Sequence, residues 1–349
     1  MKAVLLTGHG GPEKLEYRED VPAPEPAEGE VLIEVGAAGV NNTDIWTREG
    51  AYGAEDDPES TGGWRRGEQM EFPRIQGLDI AGRIDRVGGG VPESRIGERV
   101  LVDFALYSGE ESVADADIIG SERDGGFAEY VVVPAENAYA VDTPLADEEL
   151  ATFPTAYLTA EHLLNRARVA EGETIFVTGA SGGVGSALLQ LAGVRGARVV
   201  ALVGPGKEST ARDLGAEAAV TRGTDDLAEA ALDASGGQPF DVVADVVGGG
   251  IFSALLQILK PLGRYVTAGA IAGPVVSLDL RTLYLKHLEL IGSTIGTHGE
   301  FSDLVGYIEA GKVKPLLAGV YPLSEISRAQ EDFEKKDFFG KLVLVPDRD

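Results

Sequence analysis

The stretch from Thr174 to Val203 reads Thr-Ile-Phe-Val-Thr-Gly-Ala-Ser-Gly-Gly-Val-Gly-Ser-Ala-Leu-Leu-Gln-Leu-Ala and runs on to Arg-Val-Val-Ala-Leu-Val. An apolar, β-branched run, Ile175 to Thr178, meets a glycine turn. A helical pattern follows, with apolar positions Leu188, Leu189, Leu191 and Ala192, and then a second apolar run, Val199 to Val203. This is the strand–turn–helix–strand unit of a parallel crossover. Gly179, Gly182 and Gly185 fall three apart. Glycine takes the tight turn, lets the backbone approach a ligand, and lets the helix pack hard on the strand. A helix starting near Gly183 points its free N–H groups and positive dipole end at the turn, which suits a pyrophosphate. Glycine-rich turns also occur where nothing binds; the flanking strands and helix mark this one as a dinucleotide site. Its expected contacts are Gly179, Ser181, Gly182, Gly183, Val184 and Gly185.

NAD sites place an Asp or Glu at the end of the second strand, to hold the ribose 2′-hydroxyl. Here Ala201-Leu-Val-Gly-Pro-Gly-Lys207 contains no carboxylate. Lys207, and Arg222 after the next strand, can instead meet a 2′-phosphate, so the expected cofactor is NADPH. Glu208 stands against that reading, and a solvated loop lysine is the plain alternative for Lys207.

With 349 residues the chain suits two domains, and 44% hydrophobic residues supply real cores. The net charge of −27 is spread along the whole chain, and no lysine occurs between Lys14 and Lys207. That excludes the basic face that nucleic acids and anionic membranes need. A Lys-poor acidic surface on a normal core suggests a high-salt cytoplasm, where self-repulsion is screened; an ordinary acidic enzyme is the alternative. No run approaches the ~20 apolar residues of a membrane span, and Met1-Lys-Ala-Val-Leu-Leu reads as a first strand. The expected location is the cytoplasm. There is no cysteine, hence no disulfide, thiol nucleophile or thiolate zinc site.

Residues 1 to about 140 carry short apolar runs at Val4–Leu6, Val31–Val35, Gly82–Val87, Arg99–Val102 and Ala128–Val133, separated by Gly, Pro and acidic turns. This suits a small β-barrel. Ala51 to Glu71 is a polar, Gly-rich insert carrying Trp64, either a lid or a surface excursion. From Pro144 the period changes. Asp147 to Leu164 reads as a helix pair broken near Pro154. Strands at Gly215–Val220, Phe240–Gly248, Arg264–Ala268 and Leu288–Gly292 then alternate with helices at Leu227–Leu232 and Phe252–Leu259. Short links between them predict an α/β fold with a doubly wound parallel sheet. In the tail, helices at Phe301–Glu309 and Ile326–Lys335 flank Pro315–Tyr321. A last strand, Gly340-Lys-Leu-Val-Leu-Val345, is expected to return to the first domain.

These residues resemble the medium-chain dehydrogenase/reductase superfamily over nearly the whole length. The matching stretches are Gly39-Val-Asn-Asn-Thr-Asp44, Pro73-Arg-Ile-Gln-Gly-Leu-Asp-Ile-Ala-Gly82, Ile96-Gly-Glu-Arg-Val100, Gly126-Phe-Ala-Glu-Tyr130 and Thr178-Gly-Ala-Ser-Gly-Gly-Val-Gly185. Asp241-Val-Val-Ala-Asp-Val-Val-Gly248, Leu259-Lys-Pro-Leu-Gly-Arg264 and Gly340-Lys-Leu-Val-Leu344 complete them. The resemblance implies a GroES-like β-barrel catalytic domain of residues 1–140 completed by 286–349, and a Rossmann domain of residues 141–285. It also implies hydride transfer in the cleft and a dimer formed through edge strands such as the one around Leu288–Gly292. Thr155, Val247, Gly269 and Lys341 join the expected cofactor contacts on the same basis.

In the family's zinc alcohol dehydrogenases a Cys sits where Asn41 sits and a His where Leu78 sits. Neither ligand is present, and a leucine cannot bind a metal. Asp44 and Asp79 alone make a poor zinc site. His9, His162, His287 and His298 match no metal spacing, and His298, in a Gly-rich turn, reads as a surface residue. The chain is therefore similar to the zinc-free, quinone oxidoreductase-like branch, which carries Asn-x-x-Asp followed by Gly-x-Tyr; Asn41 or Asn42, Asp44, Gly50 and Tyr52 fit. The branch places this tyrosine at the nicotinamide. Without a metal, the natural acceptor is a quinone or an α,β-unsaturated carbonyl. Donors set at its oxygen lower the barrier; Tyr52 and Asn41 are the candidates. An alcohol dehydrogenase-like activity, or dinucleotide binding with little turnover, are the alternatives.

Overall fold

The computed structural model describes residues 1–52, 70–107, 112–113 and 115–347. The chain forms two compact units: Met1–Thr155 with Thr297–Asp349, and Ala156–Gly296.

The second unit is a six-stranded sheet in the order Ala218–Thr221, Arg198–Val203, Thr174–Val177, Phe240–Asp245, Leu259–Thr267 and Glu289–Gly292. Every neighbouring pair is parallel. Counted along the chain this is the order 3-2-1-4-5-6, the doubly wound arrangement of dinucleotide-binding domains. Thr174–Val177 is buried throughout and Arg198–Val203 is buried after its first residue. Such unbroken apolar runs are what a sheet covered on both faces demands. Phe176, Val200, Leu202, Phe240, Val243, Leu255 and Leu256 belong to one core cluster. The rings of Phe176 and Phe240 meet edge-on at 5.2 Å.

The first unit is antiparallel for the most part. Its central strand, Glu30–Gly39, pairs with Asp79–Val87 on one side and with Lys341–Val345 and Tyr130–Pro134 on the other. Arg99–Val102 and Ala138–Ala140 extend the sheet beyond Asp79–Val87. Leu317–Pro322 lies parallel to Lys341–Val345, with the helix Ile326–Lys335 between them in sequence. The C-terminal strand therefore does return to the first domain, with Val343 opposite Gly39.

The two compact units divide at other positions than the domain bounds the resemblance implies. Residues 141–155 belong to the first unit: Arg99 Nε donates to Asp147 Oδ1 at 2.7 Å, and the Thr155 amide donates to Asp79 Oδ1 at 2.6 Å. Residues 286–296 belong to the second, because Glu289–Gly292 pairs with Arg264–Thr267. The expected helix over Phe252–Leu259 ends at Gln257, and the strand expected from Arg264 already begins at Leu259. A helix also covers Asn42–Glu49, which no periodic pattern announces. Of the insert Ala51–Glu71, residues 53–69 lie outside the described part.

The glycine turn explains itself position by position. Gly179 has φ +58, a left-handed conformation. A Cβ on Gly185 would stand 2.2 Å from the Gly179 carbonyl oxygen and 2.7 Å from Ala180 Cα. Gly185→Ala is therefore expected to destabilise the protein by about 1–3 kcal/mol through overpacking. Gly193 lies on the same helix with nothing within 4 Å of its would-be Cβ; Gly193→Ala should be neutral or stabilising by up to ~1 kcal/mol. Urea midpoints of the two variants check this, and equal midpoints would contradict the packing account.

Candidate active site

In the first unit a buried ammonium organises the site. Lys341 Nζ lies 2.5 Å from Asn41 Oδ1 and 2.7 Å from Asp79 Oδ2. The side chains of Lys341 and Asp79 are 4% and 0% exposed. Asp79 Oδ2 also accepts from Asn41 Nδ2 at 2.9 Å, and Asp79 Oδ1 takes the Thr155 amide. A desolvated ion pair persists when its remaining lone pairs are satisfied, and Asp79 meets that condition. Asn41 Nδ2 also reaches toward Gly39 O, at 3.4 Å. The amide of Asn41 is thus turned into the protein, its N–H groups toward Asp79 and Gly39. That corrects the expectation of Asn41 as a donor to a substrate oxygen.

Asn41 caps the helix Asn42–Glu49, where Asp44 Oδ2 accepts the Asn41 amide at 2.7 Å. Asp44 is buried, and among the described residues its Oδ1 has no hydrogen-bond partner. Burial pushes its carboxyl up to about 7, against the pull of the Asn41 amide and the Lys341 charge. Tyr52 follows the helix. Its hydroxyl donates to Thr43 Oγ1 at 3.0 Å, and its ring meets Trp46 edge-on at 5.6 Å. Burial pushes the phenol up to about 12, so at neutral pH it is a hydrogen-bond donor.

In the second unit Gly182 precedes the helix Gly183–Val194, whose start has no side-chain cap. A Cβ on Gly182 would meet only the Gly179 oxygen, at 3.5 Å. The fold does not demand glycine there, whereas a ligand approaching the backbone would. This fits a dinucleotide pyrophosphate over Ser181, Gly182, Gly183, Val184 and Gly185. Asp245, at the end of the strand Phe240–Asp245, is fully buried. It accepts the hydroxyls of Thr178 and Tyr265, each at 2.5 Å, and the amides of Val247 and Gly248. It thereby fixes the loop carrying Val247. Gly269 O takes the Thr267 hydroxyl at 3.1 Å. Thr155 Oγ1, in the first unit, is buried without a hydrogen-bond partner among the described residues.

The residues expected near a ribose also find places. Arg222 is exposed, and its amide donates to Val203 O at the end of the second strand. Lys207 begins the short helix Glu208–Asp213. Glu208 Oε1 accepts the Thr221 hydroxyl at 2.6 Å, which holds its carboxyl below the usual range.

Sequence reasoning missed two carboxylates with structural consequence, Asp245 and Asp103. Asp103 Oδ2 lies 2.7 Å from Nδ1 of His298, which is the first residue of a helix and only 25% exposed, not a free surface residue. The partners are 195 positions apart, so no local signal connects them.

A zinc ion does not fit the donor set. Leu78 is buried and apolar, and the Lys341 ammonium already sits against Asn41 and Asp79. Among the described residues no group of three or more His, Asp or Glu side chains converges as metal ligands.

Comparison with known proteins matches residues 27–143 to the "Alcohol dehydrogenase GroES-like domain" and residues 183–310 to "Zinc-binding dehydrogenase". An NAD-dependent alcohol dehydrogenase of Sulfurisphaera tokodaii is 30% identical, covering 99% of this chain and 100% of that protein. An acryloyl-coenzyme A reductase of Metallosphaera sedula is 32% identical at the same coverage. The crystal structure of a putative alcohol dehydrogenase from Sinorhizobium meliloti superposes with a TM-score of 0.97 at 63% identity, covering 99% of this chain and 97% of that one. Fold, motifs and full-length relatives agree: the chain belongs to the medium-chain dehydrogenase/reductase superfamily of oxidoreductases.

Proposed function

We propose that this protein is a zinc-independent, NADPH-dependent reductase that delivers a hydride to a quinone or an α,β-unsaturated carbonyl. The observation carrying this reading is the Lys341 ammonium seated against Asn41 and Asp79, at the position where the family's zinc enzymes have a cysteine ligand. With a fixed organic cation there, help for the acceptor's oxygen falls to hydroxyl dipoles. Tyr52 and Thr43 are the hydroxyl pair on that unit. When bound, the reduced nicotinamide supplies the hydride. With Thr43 Oγ1 donating to the phenol oxygen instead, the Tyr52 O–H turns to become the donor for the oxygen on which negative charge grows. Asn41 keeps the helix start and the ammonium in place. The acryloyl-coenzyme A reductase relative supports an activated C=C acceptor. A second reading, alcohol oxidation, rests on the names of the relatives.

Metal-stripped protein should oxidise NADPH with 2-cyclohexenone or 1,4-benzoquinone. Tyr52→Phe should then lower turnover about 100-fold, the usual effect of one lost oxyanion donor, with NADPH affinity unchanged. Activity that appears only with added zinc, or only as alcohol oxidation, would overturn the reading.

The preference for NADPH rests on Val203 ending the second strand with no carboxylate, beside Lys207 and Arg222. Glu208 opposes it but is tied to Thr221. Isothermal titration should find NADPH bound more tightly than NADH, with Lys207→Ala narrowing the gap. Equal affinities in the parent protein would remove the argument.

We further propose a homodimer in a high-salt cytoplasm. Glu289–Gly292 is the outer strand of its sheet, and Val275, Leu280, Tyr284 and Leu285 nearby in sequence are 91%, 62%, 59% and 69% exposed. Exposed apolar side chains close in sequence to an outer strand favour pairing with a second copy. With a charge of −27 on each chain, pairing should strengthen as salt screens the repulsion. Sedimentation across a KCl series should show monomer giving way to dimer as salt rises; a monomer throughout would refute the proposal.

A further inference from the structure

His298 and Asp103 form a carboxylate–imidazole dyad that the reading above does not use. Asp103, just past the strand Arg99–Val102, is fully buried. Its Oδ1 accepts the Ala105 amide at 3.1 Å and its Oδ2 stands 2.7 Å from His298 Nδ1. An ionised carboxylate only accepts, so Nδ1 carries a proton and the other ring nitrogen, Nε2, faces away from Asp103. Tyr107 meets the imidazole edge-on at 4.9 Å. The Tyr139 hydroxyl donates to the His298 carbonyl at 3.2 Å, while its ring packs on Phe301 at 4.9 Å. On His298's own helix, Glu300 is bonded to Thr297. The ring is thus held in place while a quarter of the side chain stays open to solvent.

Strand register brings this dyad to the end of the sheet that carries Asp79. Ala81 lies opposite Leu101 in the antiparallel pairing. Asp79 and Asp103 each stand two residues further toward the same end of the sheet, and two residues along a strand return to the same face. Asp103 with His298 therefore shares a sheet end and face with Asp79, Lys341 and Asn41, the cap of the helix bearing Thr43.

Reducing an enone or a quinone consumes a hydride and a proton. Tyr52, with its phenol pushed up to about 12, stabilises charge well but parts with its proton poorly near neutrality. An imidazole titrates in that range. We propose that His298 is the proton donor of this reaction and that Asp103 is the residue positioning it. This rests on the reductase reading. A hydride from the reduced dinucleotide bonds to the β-carbon, and the C=C electron pair moves to the α-carbon and carbonyl. The Nε2–H bond breaks, its proton bonds to the α-carbon, and the neutral imidazole takes back a proton from water. With a quinone the same proton goes to oxygen. The acceptor gains two electrons, the nicotinamide loses two, and one proton is consumed.

His298→Asn keeps an amide donor for Asp103 and removes Nε2. With 2-cyclohexenone it should lower kcat about 100-fold, the scale of general-acid catalysis, at unchanged NADPH affinity and melting temperature. In the parent kcat should fall as pH rises through the neutral range, and in the variant this fall should disappear. Nitrogen-15 NMR of cofactor-free protein should show the Nδ1–H form of His298, and Asp103→Asn should change that tautomer. Parent kcat and pH profile in His298→Asn would overturn the acid role alone. A parent protein inactive with every enone and quinone would overturn the reductase reading and the acid role together. An Nε2–H form in the parent would overturn the positioning by Asp103.

Discussion

An ammonium sealed between a carboxylate and an amide is the constraint on which the catalytic unit depends. Lys341 reaches Asp79 across 262 positions of sequence, so the last strand of the chain neutralises a charge buried on a strand near its start. Removing one partner of such a pair costs roughly 3–5 kcal/mol, because the other is left charged and dry. The geometry also dictates its neighbours. A Cβ on Gly39 would stand 2.4 Å from Ala151 O and 2.9 Å from Asp79 Cβ. Glycine there lets the carboxylate and the segment ending at Thr155 close on each other. The pair thus fixes three things together: the return of the C-terminal strand, the start of the helix Asn42–Glu49, and the place of Thr155.

The dinucleotide unit handles a buried carboxylate differently. Among the described residues, two hydroxyls and two backbone amides, and no cation, hold Asp245. Each of those donors lies on a segment bordering the ligand turn: Thr178 before Gly179, Tyr265 on the neighbouring strand, Val247 and Gly248 on the next loop. A carboxylate can gather donors from several elements because each oxygen accepts more than one bond. Here that capacity holds the turn and the loop in register.

The sheet unit was legible because its signals are local. Apolar runs buried on both faces, glycines at fixed spacing and short links all fall within about 30 residues, and the observed strand order follows from them. The domain borders were less legible. Residues 141–155 and 286–296 carry patterns that do not say which sheet they will join, and pairing of Glu289–Gly292 with Arg264–Thr267 decides the second case. The site shows the same division. Asn41, Tyr52 and Lys341 can be named from motifs, but the inward turn of the Asn41 amide depends on Lys341, 300 positions away. Asp103 ends an unremarkable strand, and His298 sits beside glycines that suggest exposure. Only the folded sheet brings them together.

On the proposed reading, two donors with different duties follow from two environments. A group that must support growing negative charge should hold its proton, and Tyr52 does so because burial disfavours phenolate. A group that must give its proton away needs access to water for reloading. A partly exposed imidazole backed by a buried carboxylate has that access, and the carboxylate stabilises the imidazolium and fixes which nitrogen it holds. Separating the duties frees the tyrosine from the conflict that a lone residue would face, because raising its pKa improves the first role and spoils the second.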